Sequence, residues 1–137
     1  MSMFKVFDVA GTALNAQQIR MNTTASNMAN AGSVSGNPDE VYRARHPVFE
    51  TFRDTMAGMD ATTGVRVSGI YESEAPLQVR YEPNHPSADE DGNVYVSNVN
   101  KIEEMVNMMS ASRSYQNNIE VVNTTKDLLM QTLSMGR

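Results

Sequence analysis

The sequence predicts an α+β fold: two long terminal helices with coiled-coil-like seams and a small antiparallel β region between them. Proline placement is the first sign. All five prolines fall between 38 and 86, so both ends of the chain are free to be helical. Charge divides the chain at the same places: residues 1–32 carry net +1, 33–99 net −6, and 100–137 net 0. Apolar spacing is the third sign, seven-residue at both ends and two-residue in the middle. The expected division is therefore 1–32, 33–99 and 100–137.

The first helix is expected over about residues 3–30. Phe7, Leu14, Met21 and Met28 recur every seven residues, with Gly11, Gln18 and Ala25 on a second, small or polar edge. Such an edge buries little apolar area. Asp8 in the early turns suits the positive helix end. Gly32 is the expected stop. Residues 31–40, rich in Gly, Ser, Asn and Pro, have loop chemistry.

Middle-region alternation over Val65–Tyr71 and Leu77–Tyr81 predicts half-buried strands. Val41 to Phe52 is a looser strand candidate, interrupted by Pro47. Asp91-Gly92 marks a turn before a short strand at Val94–Val96.

The last helix is expected over about 100–135. Asn100 and Glu103 form a capping-box-like start. Met108, Tyr115, Val122 and Leu129 repeat every seven residues. Met105, Ile119 and Leu133 flank them, while Ser112 and Lys126 break that second seam. Gly136 is the expected stop. A pair of such helices leaves one face of each uncovered, and weak isolated helices are marginal in water. Asn22, Asn27, Asn30, Asn117, Asn118 and Asn123 are candidates for setting register through paired hydrogen bonds. Solvated Asn on an outer face is at least as strong an alternative for each.

Composition excludes several function classes. The chain has no cysteine, so disulfides, Cys-ligated metals and thiol nucleophiles are out. A net charge of −5 argues against nucleic-acid binding. There is neither an 18-residue apolar run nor a cleavable signal peptide. The acidic turn 87–92 lacks the first and twelfth ligands of a calcium loop, so Asp89 and Asp91 read as a solvated turn. His46 and His85 lie in separate loop-like segments. No constellation supports catalysis, a cofactor or a small-molecule substrate.

Three stretches carry a family resemblance. Phe7 to Leu14, continuing through Ser26, Asn27, Met28, Ala29 and Asn30, is similar to the amino-terminal segment of bacterial flagellar axial proteins. Tyr42, Arg43 and the residues to Phe49, with Tyr81-Glu82-Pro83 and Asp91-Gly92, resemble the proximal-rod subgroup. Asn98, Asn100, Glu103 to Val106, and Ser110 to Gln116 with Ser112 and Tyr115, resemble its carboxy-terminal helix. The long 32–40 loop, in place of the Thr-Pro-Gly-Tyr turn of most relatives, fits that subgroup.

The resemblance implies a structural, non-enzymatic subunit of the flagellar basal body in the periplasm, transmitting torque. The terminal helices would form an inner coiled-coil layer of a homo- and hetero-oligomeric tube. Implied partners are other proximal and distal rod proteins, the rod–ring adapter, membrane-ring components and the flagellar type III export apparatus, used without a cleaved signal peptide. Phe4 and Phe7 are candidates for reading by the export gate. The expected assembly contacts are Phe7, Leu14, Met21 and Met28 against Met108, Tyr115, Val122 and Leu129. The termini of the free chain are expected to order on assembly. The alternatives are another axial protein of the same export system or a metal-binding domain built on the acidic middle.

Overall fold

A computed structural model describes residues 3–54 and 62–136. Part of the acidic middle, 55–61, lies outside the described residues. In chain order the elements are α1 (Met3–Asn30), β1 (Val34–Ser35), β2 (Arg45–Asp54), β3 (Thr62–Glu72), β4 (Gln78–Tyr81), β5 (Asn93–Val96) and α2 (Lys101–Met135). The strands form two separate antiparallel sheets. One is the ribbon β2–β3; the other has the order β1-β5-β4. The fold is α+β, with long helices at both ends.

Helix α2 begins where sequence chemistry places it. The Asn100 side chain accepts from the amides of Ile102 and Glu103, and Glu103 and Glu104 occupy the positive first turn. The helices stop where expected, but without left-handed caps. Gly136 is the C-cap of α2 at φ −87°, outside the left-handed region. Gly32 has no positive φ either; α1 closes through Ala31 N–H to Met28 C=O and Ser33 N–H to Asn30 C=O. Among the described residues, the glycine that needs its freedom is Gly92, at φ +80° in the turn before β5.

The ribbon follows α1 in the reverse direction. Asn27 bonds to Arg45 at one end. At the other, Thr12 Oγ1 accepts from the Val65 amide at 3.2 Å, in the part of β3 paired with Thr51 of β2. Fifteen helical residues and six to seven strand residues both span about 20–23 Å, so the two elements keep step. A Cβ on Gly64 would come within 2.9 Å of the Phe52 ring and 3.0 Å of Thr12 Oγ1. Glycine there permits the close approach of ribbon to helix.

Three middle-region expectations change. Pro47 lies inside β2, opposite Ile70; in a two-stranded ribbon it can use the side without a ladder partner. A register irregularity follows between Val48 and Phe49. Residues 34–35, within the expected loop, pair with Val96 and Tyr95 of β5. The half-burial expected of Val79 and Tyr81 fails: β4 is exposed along its length, because only β5 of this sheet reaches the core. Ile70 and Tyr71 are also exposed.

The core is small-residue and local. Val94, Val96, Val41 and Ala44 gather with Asn27 where α1, the start of the ribbon and the β5 sheet converge. Ala10, Ala16 and Ala111 are buried along the helices. Alanine and threonine at these places permit close helix approach but bury little area.

Candidate assembly interface and polar junction

The junction between α1 and the β region is built on amide side chains. Asn27 is 0% exposed. Its Nδ2 donates to the Arg45 carbonyl at 2.8 Å, while its Oδ1 accepts from the Arg45 amide at 2.9 Å and from the Tyr42 hydroxyl at 2.8 Å. The side chain thus completes both main-chain groups of Arg45 as a neighbouring strand would. Ser26 Oγ lies 3.2 Å from the same Tyr42 hydroxyl.

Asn98 plays the matching part before α2. Its Oδ1 accepts from the Ala44 amide at 2.8 Å, and its Nδ2 donates to the carbonyls of Ser73 and Ala75 at 3.2 and 3.0 Å. Arg43 donates to the same two carbonyls. Most family-motif residues therefore meet in one place: Ser26, Asn27, Tyr42, Arg43 and Asn98 join the junction, and Asn100 caps the adjoining helix. Asn30 stays within its own turn, donating to the Ser26 carbonyl. Ala29 is exposed, and Ser112 is half-buried further along α2. Asn27 and Asn30 thus do not pair across helices, and Asn22 accepts from Gln18 of its own helix.

Helices α1 and α2 pack side by side and antiparallel. Arg20 donates to Asn107 Oδ1 across the pair, which puts these residues at about the same level. At that register Phe7, Leu14 and Met21 come within about a turn of Val122, Tyr115 and Met108. Met28 lies at the junction end. Leu129 lies on the last two to three turns of α2, which continue past the level of Met3. All eight of these residues are half-buried. The flanking edges behave otherwise. Gly11, Gln18 and Ala25 are exposed, as are Met105, Ile119 and Leu133. The second buried edge of α2 contains Glu104, Ala111 and Thr125, one residue before the expected edge. Ala111 is 0% exposed and Glu104 only 3%, with Glu104 Oε2 lacking a hydrogen-bond partner among the described residues.

The acidic turn is occupied by its own backbone. Asp89 Oδ1 accepts from the amides of Asp91 and Asn93, at 3.0 and 2.7 Å. Among the described residues no group of three or more His, Asp or Glu is placed to hold a metal ion. His46 is tilted against the Tyr71 ring, and His85 Nδ1 accepts from the Ser87 amide. Opposite charges face each other across the ribbon, Arg45 on Glu72 and Arg66 on Glu50. No described helix is long and apolar enough to cross a membrane.

Comparison with known proteins converges on the same ends of the chain. Residues 7–36 match the family described as flagella basal body rod protein. Residues 90–135 match flagellar basal body rod FlgEFG protein C-terminal. The flagellar basal-body rod protein FlgC of Salmonella typhimurium is 50% identical over 137 residues, covering all of both chains. That of Escherichia coli O6:H1 is 48% identical over the same span. The corresponding protein of Buchnera aphidicola subsp. Acyrthosiphon pisum is 40% identical over 140 residues, covering 99% of each chain. With identity at this level running end to end, the chain belongs to the family of flagellar basal-body rod proteins FlgC.

Proposed function

We propose that the chain is a structural subunit of the proximal part of the rod in the periplasm, carrying torque through self-assembled contacts. Residues 1–32 and 100–137 supply an inner helical layer, and residues 33–99 lie outside it. Its neighbours are copies of itself, other proximal and distal rod proteins, the rod–ring adapter and membrane-ring components. It reaches them through the flagellar type III export apparatus. The work is mechanical and needs no cofactor or substrate.

The observation that carries this reading is the state of the two helices. Each has one half-buried heptad edge and another left open to solvent. The open edge of α2 includes Met105, Ile119 and Leu133, long apolar groups that a solitary subunit gains nothing by displaying. The acidic-turn alternative is weaker, since Asp89 already closes a turn.

The test is Leu14→Asp, made at the chromosomal locus. A charge in a half-buried seam repeated over many subunits should abolish swimming while the protein is still made and exported. Swimming at the parental rate would reject the seam assignment.

A further inference from the structure

We propose that the exposed stripe of α1 in one copy docks antiparallel onto the exposed stripe of α2 in a second copy of this chain. The inference rests on the assembly reading above and names the two surfaces that meet. Every exposed residue of α1 from Phe4 to Ala29, together with Gly32 just beyond it, lies on one stripe that steps by four and three residues in turn. Neither the ribbon nor α2 covers it. Helix α2 has a stripe with the same alternating step from Ile102 to Met130, exposed throughout except for half-buried Ser112. Steps of four and three are the spacing of a coiled-coil seam.

The chemistry of the two stripes selects one register. With Asp8 level with Lys126, Phe4 falls level with Met130 at one end. At the other end Ala25, Ala29 and Gly32 fall level with Met109, Met105 and Ile102. Small residues there face long ones, so the side chains of α2 fill space that the α1 backbone leaves open. A Cβ on Gly11 or Gly32 would meet nothing within 4 Å in the single chain. Between the ends, Gln18 lies level with Gln116 and Asn22 with Ser112, Gly11 faces Asn123, and Asn15 against Ile119 is the one polar-to-apolar pair. Sliding by one heptad toward the chain's own register sets Asp8 against Ile119 and Asn22 against Met105, and the match is lost. The selected register lies about seven residues, roughly 10 Å, from that set by Arg20 and Asn107 within the chain. Each added copy is therefore displaced along the helices, and the contact is head-to-tail and open-ended rather than twofold.

The absence of native cysteine makes the test clean. Cells expressing the double variant Ala25→Cys, Met109→Cys are oxidised, and their basal bodies are run on non-reducing gels. A ladder of cross-linked chains is expected, and co-expressed single variants should give a dimer in trans. The pair Ala25→Cys, Met130→Cys serves as an off-register control and should give none. In parallel, Asp8→Lys and Lys126→Asp are tested singly and together. Each single reversal should weaken assembly, read as swarm expansion, by roughly two- to five-fold, and the double reversal should restore it. Basal bodies that contain the variant but show no ladder, a dimer that does not extend, or reversals without effect would overturn the docking while leaving the rod assignment intact. Basal bodies devoid of the unsubstituted chain would overturn the rod assignment itself.

Discussion

Asn27 shows how much one side chain can hold. Its amide meets both main-chain groups of Arg45 and the Tyr42 hydroxyl, away from water. Asn27→Ala would strand an N–H and a C=O, so urea unfolding of the purified chain should show a loss of about 2–4 kcal/mol. Asn27→Asp keeps the acceptor but turns an oxygen toward the Arg45 carbonyl, and should do no better. Asn30→Ala, which removes one bond within a helical turn, should cost about 1 kcal/mol or less. The sequence shows Ser26-Asn27 near a helix end, but a long-range amide-to-strand bond leaves no local pattern. That is why the register role assigned to these asparagines was legible as polarity and not as geometry.

At the scale of elements, helix boundaries were readable because caps and prolines act locally. Asn100 and the proline-free ends place both helices within a residue of their observed limits. Burial was less readable. The eye follows bulky residues, so Met105, Ile119 and Leu133 look like the second seam of α2. The edge that is buried runs through Glu104, Ala111 and Thr125, and at Ala111 and Thr125 small side chains let two helices approach. Alternation in β4 likewise predicts two faces without saying that either is covered. The helix pair bears on the expectation that the termini order on assembly: α1 and α2 already face each other within one chain, but α2 outruns α1. Hydrogen exchange on the free chain should show protection strongest near Ala111 and least over residues 128–135. Those last turns should gain protection in isolated basal bodies. Equal protection along α2 in the free chain would contradict the weakness of the unpaired end.

For the whole molecule the balance is between modest burial and extensive exposed apolar surface. The buried apolar residues described are alanines and valines, while Phe4, Met130, Leu133 and Met135 stand more than half exposed. A chain of this kind should be only marginally stable alone, because the entropy of ordering long helices is offset by little buried area. Calorimetry should give a midpoint at or below about 45 °C, the lower end for mesophilic domains. The midpoint should rise with protein concentration as copies associate. A high midpoint independent of concentration would mean that the chain is complete by itself.

The ribbon touches α1 at two hydrogen-bonded places, Thr12 with Val65 and Asn27 with Arg45, about four helical turns apart. A single fastening would act as a pivot, and a sideways load on the ribbon would swing it about that point. Two fastenings so far apart form a couple: a force that tends to rotate the ribbon is met by opposed reactions at its two ends. The helix and ribbon then bend and twist as one beam. In the proposed rod, a load on the ribbon would be delivered to the helices as leverage over the length between those two points.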